Sequence, residues 1–146
     1  HFITYLIKQK LLINTEKVQI LEPTKTDRVF VLFLPLNEIH ELGIMYLNYE
    51  ILLNGYQTIY LGESIPITSL TDLKNSFEKI TFLSYLTVEP NQEEVNNFVQ
   101  EFQTTILDNT KHELLLLGRM TEFIEQNNKF ENINIFNSIE ELTASL

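Results

Sequence analysis

The run Arg28-Val29-Phe30-Val31-Leu32-Phe33-Leu34, followed by Asn37-Glu38-Ile39-His40-Glu41-Leu42-Gly43, decides the fold of this chain. The first run is almost continuously apolar, which is typical of a strand buried on both faces of a parallel sheet. Residues 42–53 then show the apolar spacing of a helix, and Asn54-Gly55 is typical of a helix end. The stretch therefore predicts a strand, a loop that carries His40, and a helix.

The same alternation continues to the end of the chain. We predict further strands at 57–61, 80–86, 114–117 and 133–136, with Gly62 closing the second, and helices at 66–77, 92–107, 120–127 and 138–146. Right-handed crossovers between such strands give an α/β fold with a flavodoxin-like, five-stranded parallel sheet, order 2-1-3-4-5, and helices on both faces. In this order the carboxyl ends of strands one and three flank the switch point, where ligands bind.

The amino-terminal residues read differently from the rest. Residues 2–13 have helical spacing, and residues 14–27 form a polar connector with a short extended piece at 18–21. No methionine precedes His1. We therefore expect a fragment of a longer protein, in which residues 1–27 are the last helix of an upstream helical bundle plus a connector. Residues 28–146 would then form the sheet domain.

Composition excludes several classes of function. The chain has no cysteine, which rules out disulfides, zinc thiolate sites and thiol catalysis. Its formal net charge of -10 repels phosphate backbones, so any DNA binding is expected from another segment of the full protein. No apolar run has the length of a membrane span and no signal peptide is recognisable, so we expect no membrane contact and a cytoplasmic location. Phosphate-cradling and nucleophile-elbow motifs are also absent, and we expect no enzymatic activity.

His40 is the candidate functional residue of the predicted switch point. A neutral imidazole can bind a transition metal through one ring nitrogen, and Glu38 is near enough in sequence to hold the other. From spacing alone, a histidine that bonds to backbone or water near a helix start is an open alternative. Glu41 would then serve the helix dipole. His112 precedes strand four, at the other end of the sheet, and we expect it on the surface.

Three motifs, in order along the chain, resemble those of cobalamin-binding domains. Residues 38–43, Glu-Ile-His-Glu-Leu-Gly, are similar to the signature Glu/Asp-x-His-x-x-Gly. Residues 84–86 resemble the family's Ser-x-Leu element, and Gly118 ends a strand as its Gly-Gly element does, with Arg119 in place of the second glycine. The opening residues 1–4 resemble the end of the helical segment that precedes this domain in MerR-type, cobalamin-dependent transcriptional regulators.

The resemblance implies a bound cofactor and a set of residues that hold it. Adenosylcobalamin or methylcobalamin would bind base-off, with His40 as the lower ligand of cobalt and Glu38 orienting its ring. His1 would lie over the upper face of the corrin. The dimethylbenzimidazole tail would insert beside the sheet, along a path that Arg119 either narrows or leaves open by pointing to solvent. The tail-lining residues implied are Gly43, Ser84, Leu86 and Gly118.

The resemblance also implies a role. The chain would be the cobalamin-binding sensory domain of a regulator, controlling self-association and DNA binding by a separate amino-terminal domain, as light-sensing members do. Two alternatives stay open. One is the cobalamin carrier module of a methyltransferase or mutase. The other is a degenerate domain that binds protein only and no cobalamin.

Overall fold

All five strands pair in parallel, in the order β2-β1-β3-β4-β5 that the sequence predicted. The computed structural model describes residues 2–146, so His1 and the contact predicted for it lie outside the described residues. No helix in residues 2–146 combines the length and apolar character needed to cross a membrane. The strands and α-helices are α1 Phe2–Gln19, β1 Lys25–Pro35, α2 Leu42–Leu53, β2 Tyr56–Ile65, α3 Thr71–Lys74, β3 Ile80–Tyr85, α4 Val95–Phe102, β4 Glu113–Leu117, β5 Ile133–Ile135 and α5 Ile139–Ala144.

Strand β1 lies inside the sheet, and residues 30–35 are buried. Its side chains alternate between two apolar clusters, one on each face of the sheet. Val31 and Phe33 pack toward α4, while Phe30, Leu32 and Leu34 pack toward α2 and α5. Burial on both faces explains why this run is continuously apolar rather than alternating.

Gly62 was predicted to close strand two, and this is wrong, because β2 continues to Ile65. Gly62 has a φ of +88° and lies where the pairing register with β1 shifts, between Leu32 and Phe33. A positive φ at a register shift is typical of a β-bulge, in which an extra residue bends the strand without ending it.

Several predicted helices differ from the observed ones. The helix predicted at 66–77 is a 3₁₀ turn, Ile67–Leu70, followed by one turn of α3, and that predicted at 120–127 is two 3₁₀ turns. Helix α4 begins at Val95 and ends in a wider π turn over Gln103–Leu107. The bounds of α2 match the prediction, and Ser138 caps α5 by accepting a hydrogen bond from the Glu141 amide at 3.0 Å.

Helix α1 is longer than predicted and continues to Gln19, so the extended piece expected at 18–21 is wrong. It packs beside α2, yet only Thr15 is buried among its residues. Its apolar side chains are mostly exposed, namely Phe2, Ile3, Tyr5, Leu6, Ile7, Leu12 and Ile13. The assignment of residues 1–27 to an upstream bundle stays a prediction.

His112 was expected on the surface, but its side chain is buried beneath the amino end of β3. Its Nδ1 accepts a hydrogen bond from the Ile80 amide at 2.9 Å, and its Nε2 lies 2.7 Å from the Lys74 carbonyl oxygen. These partners fix the neutral tautomer with the proton on Nε2. His112 therefore joins α3, β3 and the start of β4, and its role is structural.

We expect His112→Phe to destabilise the fold by about 1–3 kcal/mol, because the buried Ile80 amide loses its acceptor while the ring volume is largely kept. The measurement is the free energy of unfolding from urea titration at pH 7. A control is Lys111→Met next to it, since the Lys111 side chain is exposed in its pair with Glu78 and contributes little. An unchanged urea midpoint for His112→Phe would contradict this structural role.

Candidate functional site

The loop after β1 turns sharply and sends Glu38 back into the molecule. The Glu38 amide donates to the Pro35 carbonyl at 2.9 Å, and Asn37 adopts a φ of +70°, which asparagine tolerates better than most residues. The loop is fastened to β2, because the Asn37 amide donates to Ser64 Oγ at 3.1 Å. This turn lets a charged residue enter the interior beside the carboxyl end of β1.

The Glu38 carboxylate is fully buried and lies in a ring of backbone N–H groups. Its Oε1 accepts hydrogen bonds from the amides of residues 87, 88 and 89, at 2.9, 2.6 and 3.2 Å. Its Oε2 accepts from the amides of Ile39 and His40, at 2.9 and 3.3 Å. The loop after β3 and the loop after β1 are thereby joined through one side chain.

These contacts determine the charge of Glu38. Burial by itself raises the pKa of the carboxyl group, but hydrogen bonds from the Val88 amide, the His40 ring, and the Glu89 and His40 amides outweigh it. The result is a pKa lowered from 4.5 to about 2. The buried carboxylate is therefore an anion at neutral pH, stabilised by backbone dipoles rather than by a cation.

The same carboxylate orients His40. Nδ1 of the imidazole lies 2.9 Å from Glu38 Oε2, which is the contact that the sequence predicted. The His40 side chain is 57% exposed, and Nε2 makes no hydrogen bond within residues 2–146. A carboxylate at Nδ1 favours the proton there and leaves the lone pair of Nε2 free to bind a metal.

Gly43 and Tyr85 meet between α2 and β3. A Cβ atom on Gly43 would lie 2.9 Å from Cε2 of Tyr85 and 3.2 Å from its Cδ2. The tyrosine ring therefore packs directly on the backbone of the first turn of α2. The space that the resemblance assigned to a cofactor tail beside Gly43 is filled by this ring.

Ser84 and Leu86 lie on the other face of the sheet from Tyr85, because side chains alternate along a strand. Ser84 is buried, and its hydroxyl donates to the Phe33 carbonyl at 2.7 Å. Leu86 is buried in the cluster that packs toward α4. The structure thus places these two residues on the opposite face of β3 from the Tyr85 ring that packs on Gly43.

Gly118 serves a close approach of backbone to backbone. Its φ is +106°, and a Cβ there would lie 2.6 Å from the Leu86 amide nitrogen. The Leu86 amide donates to the Leu117 carbonyl at 2.8 Å, and the Leu86 carbonyl accepts from the Met120 amide at 2.9 Å. Gly118 therefore packs against β3 and lines no open channel. Arg119 is exposed and does not fill the interior.

Sequence reasoning missed two parts of this edge. The first is the loop at 87–89, whose amides hold Glu38; no residue type signals it, because the donors are backbone groups. The second is the pair in which the Tyr60 hydroxyl donates to Glu41 Oε2 at 3.1 Å. Burial and the Glu41 carboxylate raise the pKa of Tyr60, so its hydroxyl keeps its proton.

Two clefts flank the sheet ends. A cavity of about 330 Å³ lies at the carboxyl edge, between the loop after β1 and α4, and includes Leu36, Pro90 and Phe98. A larger one of about 900 Å³ lies at the opposite edge, between the end of α1 and the start of β2. The larger cleft is far from Glu38 and His40, and its size does not make it the functional site. Residues 2–146 contain no group of three or more His, Asp or Glu side chains placed to hold a metal ion.

Comparisons with known proteins show the fold. No known family and no curated protein matches this sequence. Among solved structures, a monomethylamine corrinoid protein from Methanosarcina barkeri has a TM-score of 0.68 at 12% identity, covering 92% of this chain and 63% of its own. A cobalamin-binding protein from Desulfitobacterium hafniense DCB-2 has a TM-score of 0.55 at 10% identity, covering 82% of this chain and 58% of its own. The chain thus has the fold of cobalamin-binding domains and spans less than two thirds of either protein.

We expect Glu38→Gln to destabilise the fold by about 2–4 kcal/mol, because an amide group places N–H donors where the carboxylate accepts from backbone amides. Unfolding in urea at pH 7 measures the loss, with Glu93→Gln on the exposed loop as a matched control.

The stability that Glu38→Gln loses should also depend on pH. The folded pKa of about 2 is lower than the ordinary 4.5, so the Glu38 contribution is full above pH 4.5 and is lost as pH falls toward 2. The shift corresponds to about 3 kcal/mol. The stability difference between the parent and Glu38→Gln should therefore shrink across that window. A difference that stays constant from pH 6 to pH 2.5 would contradict the assignment.

Alanine substitutions at Gly62 and Gly118 test the close packing of Gly118. Both have positive φ, so alanine at either position should cost about 1–2 kcal/mol in backbone strain. At Gly62 the nearest atom to a new Cβ is 3.8 Å away, whereas at Gly118 it collides with the Leu86 backbone. We expect Gly118→Ala to lose at least about 2 kcal/mol more than Gly62→Ala in urea unfolding, because the backbone must shift. Equal losses in the free energy of unfolding would show that the contact between Gly118 and the Leu86 backbone does not affect stability.

Proposed function

We propose that this chain is a corrinoid-binding module in which Nε2 of His40 is the lower axial ligand of cobalt. The observation that carries the proposal is the buried Glu38 carboxylate, 2.9 Å from Nδ1 of an imidazole whose other edge is exposed. The fold, shared with two corrinoid-related structures, supports it. When bound, the cofactor supplies a cobalt–carbon bond that can be broken by light or used in group transfer.

The Glu38–His40 pair suits a metal ion that already carries most of its ligands. One imidazole nitrogen supplies a single ligand, so the metal must have most positions filled already, as cobalt has in a corrin ring. The Glu38 carboxylate makes the imidazole a stronger donor by drawing its Nδ1 proton. Because Glu38 is held by five backbone amides, the ring is oriented before any ligand arrives.

The surface around His40 suits the flat face of a large macrocycle. Ile39 is 60% exposed, Leu36 is 56% exposed, and Val88 is 49% exposed, all on the two loops that Glu38 joins. Three apolar side chains exposed at one edge form a patch that a ligand can cover. Burial of this patch would add an apolar contribution to the single metal bond.

Within this function we favour a sensory role in a regulator, with adenosylcobalamin or methylcobalamin as the ligand. The order of sequence motifs, the exposed apolar face of α1 and the charge of -10 support a ligand-binding part that leaves DNA to another segment. The alternative of a carrier module is supported by the likeness in fold to the monomethylamine corrinoid protein. Sedimentation with and without ligand separates them, since a sensor changes its association state and a carrier does not.

The test of the metal ligand is His40→Ala. The parent chain, titrated with aquacobalamin and with diaquacobinamide, should give the spectral shift of histidine ligation with at least one of them. His40→Ala should lose that shift and bind at least about 100-fold more weakly, because the only protein ligand is gone. Asn134→Ala, exposed on β5 at the far edge of the sheet, is the control. Identical spectra for parent and His40→Ala would refute the ligand assignment.

A further inference from the structure

Tyr85 occupies the interior position next to the proposed metal ligand. It is the last residue of β3, and its ring packs in the apolar cluster on the α2 face. Three ring atoms lie within 3.3 Å of the place where a Cβ of Gly43 would stand. Gly43 is three residues after His40 and lies in the first turn of α2. The ring therefore fills the space between β3 and the first turn of α2.

This closure matters because cobalt has a single lower position. In a complete cobalamin that position is taken by the base of the cofactor's own nucleotide. If His40 binds there, the base must leave the metal and find another place. It is flat and apolar, so leaving it in water is unfavourable compared with burying it in a slot near the ring.

Both faces of β3 are packed at the positions that the motifs mark. On the α2 face the ring of Tyr85 fills the space beside Gly43. On the α4 face the Ser84 hydroxyl is bonded to Phe33, and Gly118 packs on the backbone of Leu86. Interiors packed in this way accept an inserted ring only if side chains move.

We propose that Tyr85 takes the place of the nucleotide base and makes this site selective for corrinoids that lack the nucleotide, such as cobinamide. The inference rests on the proposed function, because it needs His40 as the cobalt ligand. In cobinamide the lower position carries an exchangeable water. His40 would replace this water, and the protein would need no pocket for a nucleotide base.

The experiment is a pair of titrations, with diaquacobinamide and with aquacobalamin, followed by absorbance and by calorimetry. We expect the parent chain to bind cobinamide at least about 10-fold more tightly than cobalamin. Tyr85→Ala should raise the affinity for cobalamin by at least about 10-fold and leave that for cobinamide within about 3-fold. Tyr85→Leu keeps apolar packing and repeats the test if the alanine variant folds poorly, as judged by circular dichroism.

Two controls separate the ring from other effects. Tyr85→Phe keeps the ring and should keep the preference of the parent, because the hydroxyl takes no part in closing the gap. Tyr46→Ala removes an exposed tyrosine from α2, the helix whose first turn contains Gly43, and should also behave as the parent.

The outcomes are distinguishable. Equal binding of both corrinoids by the parent, or no gain for cobalamin in Tyr85→Ala and Tyr85→Leu, overturns the role of Tyr85 and leaves the proposed function standing. Failure of every variant to bind either corrinoid overturns the proposed function, and the role of Tyr85 with it.

Discussion

The carboxylate of Glu38 is the interaction on which the carboxyl edge of the sheet depends. It is a buried charge that pairs with no Lys or Arg side chain among residues 2–146, and backbone amides from two loops balance it. Burial of an unpaired carboxylate would be prohibitive, so both loops must keep the positions that direct their N–H groups at it. The geometry of the loops after β1 and β3 follows from this requirement.

That arrangement also explains why His40 is positioned in the absence of a ligand. A surface histidine ordinarily samples several rotamers, but here one ring nitrogen is hydrogen-bonded to a buried carboxylate that five backbone amides hold in place. The anionic state of Glu38 is secured by its low pKa, and an anion at Nδ1 strengthens Nε2 as a donor. Structural stability and ligand orientation are therefore supplied by the same carboxylate.

The carboxyl edge has two halves with different packing. In the first half, the His40 ring is exposed and oriented, and Leu36, Ile39 and Val88 are exposed on the two neighbouring loops. The half beneath it is packed, because Gly43 meets the ring of Tyr85 and Gly118 meets the backbone of Leu86. Both glycines match the positions that the resemblance indicated, yet each serves a contact within the protein. A match to the motif at these two positions therefore accompanies a packed interior rather than an open cavity.

The sequence by itself determined the strand order, the bounds of α2 and the Glu38–His40 pair, because these follow from apolar periodicity, from the handedness of crossovers and from residues close in sequence. Only the tertiary structure decided the rest. Three of the five amides that hold Glu38 lie 49 to 51 residues away, and the partners that bury His112 lie 32 and 38 residues away. The meeting of Tyr85 with Gly43 likewise depends on how α2 packs on β3. Contacts of this kind leave no periodic trace in the chain, since they are made between backbone groups and side chains that the fold alone brings together.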